Sequence, residues 1–278
     1  MSAARSLAPF GRRLAAVTAS ETHGAYVVIR CTDLGGPAPQ PGQFYMLTAS
    51  SRWGGGEGER PFLPRAFSVL RASPADAGAI ELQFLVEDVG PGTRRLCELG
   101  AGDGLLLVGP LGAGFAWPRE ARRPLLVGGG VGIAPLAILQ DELGAEMPAL
   151  LGFRDASHAA GAALLSGARI ATDDGSAGHH GLVTELLFTE LERAADELEV
   201  YACGPPAMLD AVRLMCAEHG APAQLALESG MACGFGACFG CVVPTREGYI
   251  RLCLEGPVLD AAVLCDVAGS EAQPSGLR

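Results

Sequence analysis

ESGMACGFGACFGCVVPTREGYIRLCLEGP, residues 228–257, holds four of the chain's nine cysteines: Cys233, Cys238, Cys241 and Cys253. Their spacing is C-x4-C-x2-C, then eleven residues, then the fourth cysteine. The opening is the ligand spacing of a plant-type [2Fe–2S] site. Three thiolates must converge on one small cluster from a tight loop, so the backbone has to coil around the sulfides. Gly234, Gly236 and Gly240 permit the positive φ values such a coil needs. They also let backbone N–H groups approach the sulfurs, which tunes the potential. Zinc is the competing reading. Zinc sites usually pair two C-x2-C knuckles of similar length, and the first gap here is four glycine-rich residues. Disulfides fit poorly, because the other five cysteines (Cys31, Cys97, Cys203, Cys216, Cys265) are scattered singly and nothing else looks secreted. Those five read as buried small hydrophobes.

Working outward, 278 residues suggest about two domains, and 49% hydrophobic residues can build real cores. The mean hydropathy is +0.28. A net charge of −11 argues against nucleic acid and against anionic membrane surfaces. All twenty basic residues are arginine. Lysine is therefore excluded from every catalytic or phosphate-binding role. The cysteines, with a cluster among them, imply a reducing compartment and hence the cytoplasm. The longest uncharged run, Pro124 to Gln140, is 17 residues and broken by glycines, short for a spanning helix. The arginine-bearing, acid-free start superficially suggests a transit peptide. The better reading is that these arginines flank a strand, with Leu14–Thr18 and Ala25–Cys31 as the first two strands of a β-domain.

From residue 12 to about 110, short apolar runs (AYVVIR, FYMLTA, AFSVL, IELQFLV, GLLLVG) recur between Gly/Pro punctuation. That is the pattern of a small antiparallel barrel. The glycine-rich, charged stretch Ser50–Pro64 reads as a mobile loop, and Thr93–Leu99 as a short helix. From 123 to about 220, apolar strands at 125–128, 149–153, 168–172 and 199–203 alternate with helical segments. Alternating β and α means a parallel sheet with crossover helices, a nucleotide-binding architecture. The helix after Gly181 shows an apolar stripe at Leu187, Leu191, Ala194 and Leu198. The tail after about 267 has a disorder-like composition. The expected fold is multidomain α+β: an antiparallel β-barrel domain (12–115), an α/β nucleotide domain with a parallel sheet (123–222) and a small C-terminal [2Fe–2S] domain (225–267).

VGGGVGIAPL, residues 127–136, ends a strand in four glycines within five residues and then starts a helix. Gly129, Gly130 and Gly132 thereby present bare N–H groups and a helix N-terminus to an anion. Pro135 stands where a dinucleotide fingerprint would have its third glycine, and proline suits a first helical turn. A glycine-rich turn kept for packing is the alternative. In YACGPPAML, 201–209, a strand ends at Cys203 and a Gly204-Pro turn opens a helix. Residues at that end of a parallel strand line the ligand crevice. RAFS, 65–68, puts a cation, an aromatic and a hydroxyl within one strand, and VGPGT, 89–93, opens the short helix, whose N-terminus can cradle phosphate. His179 and His180 read as solvated. Asp173 and Asp174 could meet a ribose or cap a turn.

In this order the motifs resemble the electron-transfer subunit of the two-subunit, NAD-linked (class 1B) dihydroorotate dehydrogenases, within the ferredoxin reductase-like flavoproteins. The resemblance runs from about residue 12 to 265. Its most specific parts are the cysteine stretch with GPV (256–258), TDDGSAGHHGLVTELL (172–187) and GPLGAGF (109–115). It implies that the barrel (12–115) is the flavin domain, with FAD on Arg65, Ala66, Phe67 and Ser68, on Leu85, Val86 and Glu87, and on Gly92 and Thr93. It implies the cluster on Cys233, Cys238, Cys241 and Cys253, and NAD(H) as co-substrate. Two positions depart from the family pattern: Ala66 replaces the usual proline, and Glu87 stands where an arginine is often seen. The implied partner is an FMN-containing dihydroorotate dehydrogenase catalytic subunit, in a heterotetramer of two of each. Electrons would then run from dihydroorotate in the partner through cluster and FAD to NAD⁺, with no catalytic residue or dihydroorotate site in this chain. Two other readings stay open. One is the flavin/iron–sulfur subunit of an NADH-dependent ferredoxin:NADP oxidoreductase or sulfhydrogenase. The other is a zinc-stapled, non-enzymatic interaction module.

Overall fold

The computed structural model describes residues 11–56, 60–119 and 122–265. The expected disordered tail and residues 57–59 of the expected mobile loop lie outside the described residues. The first six strands are β1 (Arg13–His23), β2 (Tyr26–Asp33), β3 (Phe44–Ala49), β4 (Arg65–Pro74), β5 (Ile80–Glu87) and β6 (Gly104–Leu111). They close into an antiparallel barrel in the order β1-β2-β5-β4-β3-β6. Period-two side-chain alternation builds its interior. On β1, Ala15 and Val17 are buried while Leu14 and Ala16 face solvent, and Ile29, Leu47, Phe84 and Leu105 fill the middle. Closure leaves no open sheet edge. The Arg13 guanidinium donates to both oxygens of buried Asp33 (2.7–3.1 Å) and to the Gly109 carbonyl (2.6 Å). It is a fastening of the barrel, in keeping with an arginine that flanks a strand. Helix α1 (Pro91–Cys97) caps one end.

The chain then crosses to β7 (Arg123–Gly129), α2 (Ala134–Leu143), β8 (Ala149–Phe153), α3 (Ala156–Ala159), β9 (Ala168–Thr172), β10 (His179–His180), α4 (Val183–Ala194), β11 (Leu198–Cys203), α5 (Pro206–His219) and β12 (Ala223–Ala226). The strand order is β10-β9-β8-β7-β11-β12, all parallel. After β7 the chain builds outward to one side, then returns to start again at β11 on the other. The carboxyl ends of β7 and β11 therefore flank a topological switch point, the place where such sheets bind ligands. The apolar stripe of α4 differs from expectation at its end. The helix stops at Ala194, and Leu198 is already the first residue of β11. Val183, Leu186, Leu187 and Leu191 form the buried face.

The last segment forms a ribbon, β13 (Val242–Thr245) with β14 (Gly248–Arg251), and a final strand β15 (Val258–Asp260). β15 pairs antiparallel with β12. The large sheet thus extends past residue 222 and takes its edge strand from the cysteine segment. Covering the β12 edge satisfies N–H and C=O groups that would otherwise lie open. Continuous cores join the parts. Tyr26, Leu70 and Leu85 of the barrel pack with Ile133, Leu136 and Leu151 of the sheet region. Phe44 and Met46 of β3 pack with Cys241, Leu252 and Cys253. Each fully buried large apolar side chain contributes about 1.5–3 kcal/mol, so these seams hold the parts in fixed register. Arg71 of β4 adds bonds to Asp141 of α2 (2.8 Å) and to the Leu164 carbonyl (2.7 Å). Among the described residues, no helix is long and apolar enough to cross a membrane.

Candidate functional site

Two cavities and the cysteine loop lie in succession. The smaller cavity, about 270 Å³, opens between barrel and sheet. Arg65, Ala66, Phe67 and Ser68 border it, with Leu85 and Thr93 from the same side. Gly132 and Cys203 border it from the sheet. Phe67 also packs against the barrel core. The larger cavity, about 570 Å³, sits over the carboxyl ends of β7, β8 and β11, with Gly129, Gly130 and Gly204 in its wall. Val131 and Glu228 border both cavities. Met231 and Pro257 put the cysteine segment into the wall of the smaller one.

Arg65 is placed by three neighbours. Its Nη1 donates to the Leu63 carbonyl (2.7 Å), and its guanidinium stands 5.9 Å from the centroid of the Trp53 ring. It also lies across Gly92, where a Cβ would come within 2.6 Å of Nε. A side chain at 92 would displace the Arg65 guanidinium from this position. The Thr93 hydroxyl is committed locally: it accepts from the N–H groups of Val89 (2.9 Å) and Gly90 (3.0 Å). What α1 leaves for an anion is its unpaired first-turn N–H groups, Pro91 having none.

The strand piece 85–87 divides. Leu85 borders the smaller cavity, Val86 is fully buried in the barrel core, and Glu87 borders the larger cavity. There Glu87 forms an ion pair with Arg154. The glycine turn also divides. A Cβ on Gly132 would come within 2.4 Å of the Cys203 carbonyl oxygen, backbone that cannot yield. Gly129 is similarly close to Met208 and Pro205. For Gly132 the packing reading holds, while Gly129 both packs and borders the larger cavity. Gly130, at φ +55, has nothing nearer to a built Cβ than the Tyr26 hydroxyl at 4.0 Å, so its backbone faces open cavity.

Cys203 is buried, and burial raises its thiol pKa strongly. It is a neutral wall of the smaller cavity. His179 and His180 are exposed, with His179 Nε2 2.7 Å from Glu185 Oε2. Asp174 accepts from the N–H (2.9 Å) and hydroxyl (2.6 Å) of Ser176, which makes it a turn cap. Asp173 borders the larger cavity instead. Sequence reasoning missed Glu228, Arg154 and His158. Arg154 directly follows β8, and the rule that strand carboxyl ends line the crevice would have flagged it. Glu228 is reached by solvent through the cavities, yet surrounding protein desolvates it and raises its carboxyl pKa.

All nine cysteines are free thiols. Among the described residues, no group of three or more His, Cys, Asp or Glu side chains is drawn together around one point. The four spaced cysteines are electrostatically linked: Cys233 interacts with Cys238, and Cys253 with Cys241 and Cys233. The loop coils with positive φ at Gly234 and Gly236 as expected, but the third left-handed residue is Phe239, not Gly240. Amides point at sulfur: Gly240 N–H to Cys238 Sγ and Cys253 N–H to Cys241 Sγ, each 3.5 Å. Burial raises the Cys233 pKa, but N–H groups of Cys238, Phe235 and Ala237 outweigh it and bring it down to about 7. Cys253 is pushed up to about 12, by burial first and then by Cys241. A thiol so placed gives up its proton to a metal, not to water. The donor set fits a two-iron cluster.

Residues 228–265 match the family described as the iron-sulfur cluster binding domain of dihydroorotate dehydrogenase B. Over 222 residues the chain is 35% identical to the dihydroorotate dehydrogenase B (NAD(+)) electron transfer subunit of Clostridium acetobutylicum, covering 79% of this chain and 83% of that one. It is 38% identical over 234 residues to the subunit of the same description from a Geobacillus species, covering 80% and 85%. Among solved structures, the NADH-dependent reduced ferredoxin-NADP oxidoreductase, described for flavin-based electron bifurcation, superposes with a TM-score of 0.73 at 25% identity, over 92% of this chain and 91% of that one.

Proposed function

Because the chain belongs to the electron-transfer subunits of NAD-linked dihydroorotate dehydrogenase B, we propose that it carries electrons between NAD(H) and an FMN-containing catalytic subunit that oxidises dihydroorotate to orotate. The chain itself is an NAD-linked flavin and iron–sulfur subunit of an oxidoreductase, and FAD, a [2Fe–2S] cluster and NAD(H) are its redox groups. The observation that carries the reading is the succession of sites. The larger cavity shares Val131 and Glu228 with the smaller, and the smaller shares a wall with the cysteine segment.

In this reading the smaller cavity takes the flavin. When bound, FAD supplies the junction between a two-electron carrier and a one-electron cluster. Arg65, held by Trp53 and Leu63, binds phosphate oxygens through charge-assisted hydrogen bonds, and the N–H groups at Gly92 and Thr93 add neutral donors. Ala66, Phe67, Ser68 and Leu85 line the ring end, where Cys203 stays a neutral thiol. Gly132 keeps the β7 turn tight against Cys203, so both cavities keep their common wall. In the larger cavity, the N–H groups around Gly129, Gly130 and Gly204 receive the nucleotide pyrophosphate. Cys233, Cys238, Cys241 and Cys253 would hold the cluster, which supplies one-electron transfer when bound. The apolar loop around them, with Phe235 and Phe239 exposed, is the docking face for the catalytic subunit. We place the assembly in the cytoplasm as a heterotetramer of two of each subunit. The sister reductase role is the second reading, favoured by the similarity to the ferredoxin-NADP oxidoreductase.

The isolated, reconstituted chain is expected to show flavin and cluster absorption bands, to oxidise NADH with an artificial acceptor and to leave dihydroorotate untouched. A preparation that takes up zinc, but neither flavin nor iron with sulfide, would contradict the reading.

A further inference from the structure

The larger cavity has one guanidinium among its described lining residues, that of Arg154, and it is not free. Arg154 forms an ion pair with Glu87, which reaches over from the end of β5. Glu87 is itself pinned. His158 Nε2 lies 3.2 Å from its Oε1, and His158 Nδ1 lies 2.7 Å from Asp155 Oδ1. Tyr26 braces the imidazole edge-on, with ring centroids 5.6 Å apart. The other charged side chains in the wall, Asp173 and Glu228, are acids.

Arg154 follows the second strand of the sheet in chain order, β8. In open α/β sheets the end of that strand meets the adenosine ribose. An acid there suits a ribose 2′-hydroxyl, and an arginine suits a 2′-phosphate. A phosphate group carries about −1.5 to −2 charges at neutral pH and needs a cation when it leaves water. The pyrophosphate is common to NAD(H) and NADP(H), so its binding to the glycine turn does not discriminate. Resting on the nucleotide reading of this cavity, we propose that the Glu87–Arg154 ion pair selects NAD(H) over NADP(H) by neutralising the guanidinium that a 2′-phosphate would need. Glu87, the position that departs from the family pattern, is then a specificity residue for the nucleotide, not a flavin contact.

The test uses the full, flavin-loaded chain and isothermal titration with 5′-AMP and 2′,5′-ADP, probes that differ only in the 2′-phosphate. Glu87→Gln keeps the shape and removes the charge. It should raise affinity for 2′,5′-ADP relative to 5′-AMP about tenfold, the effect of one charge-assisted hydrogen bond set free. Glu87→Gln with Arg154→Gln should return the ratio to that of the wild type. Arg154→Gln alone should lower it, since Glu87 is then left unpaired and repels the 2′-phosphate. The NADPH:NADH ratio of kcat/KM with an artificial acceptor should follow the same order. Both probes binding to Glu87→Gln with an unchanged ratio would overturn the proposal alone. So would a double variant that keeps the tenfold gain, which would show that the gain does not come from Arg154. Wild-type protein that binds neither probe would overturn the nucleotide reading of the cavity as well.

Discussion

Cys253→Ser is expected to strip the protein of iron and acid-labile sulfide, while Cys216→Ser keeps both. The two thiols are alike in burial, each about 1% exposed, and alike in pKa, each pushed up to about 12 by burial. What separates them is company. Cys253 sits against Cys241 and feels Cys233. Cys216 lies on α5 among Val212, Leu209 and the apolar face of the sheet, with no second cysteine in its core cluster. A serine at 253 offers a hard hydroxyl where the cluster would need a soft thiolate. Cys233→Ser, Cys238→Ser and Cys241→Ser should behave like Cys253→Ser, and Cys265→Ser like Cys216→Ser. Diaphorase activity with an artificial acceptor should persist in the cluster-free variants, because the two cavities do not depend on it. Cluster loss in Cys216→Ser with retention in Cys253→Ser would show the ligand assignment to be wrong.

Arg65→Ala should release flavin on gel filtration while the fold stays intact. With no lysine in the chain, phosphate recognition falls to arginine and to backbone N–H groups. Arg65 borders the smaller cavity with its guanidinium already positioned over Gly92 and beside Trp53. Losing a charged hydrogen-bonding partner of this kind costs about 1.5–3 kcal/mol, roughly 10- to 150-fold in the flavin dissociation constant. Its ties to Leu63 and Trp53 lie at the surface, so the thermal midpoint of the apoprotein should barely move. Full flavin retention after gel filtration would remove Arg65 from the site.

The architecture was legible because its signals are local. Glycine and proline punctuate the barrel strands, the strands alternate with helical segments in the second part, and the cysteine spacing is written within one loop. The larger sheet strands fall where the apolar runs put them, ARIAT at 168–172 without a residue's difference. What was not legible depends on partners distant in sequence. The stripe of α4 ran on to Leu198 because a strand-initial leucine happens to fall in helical register. β15 could not be assigned to the sheet, since its three residues gain meaning only beside β12, more than thirty positions earlier. The role of Glu87 was hidden for the same reason. Its neighbours Arg154 and His158 are 67 and 71 residues away. For Gly132 the sequence showed a bare backbone, but only the Cys203 carbonyl lying against it showed why a side chain is excluded.

The most direct test of the central claim is reconstitution with the catalytic subunit. The chain alone should oxidise NADH with an artificial acceptor and form no orotate from dihydroorotate. Mixed with an FMN-containing dihydroorotate dehydrogenase catalytic subunit, it should form a stable complex and confer NAD⁺-dependent orotate formation, and Cys253→Ser should abolish that activity. If the catalytic subunit neither binds nor gains NAD⁺ dependence, while a ferredoxin is readily reduced by NADH through this chain, the dihydroorotate account is contradicted and the sister reductase reading takes its place.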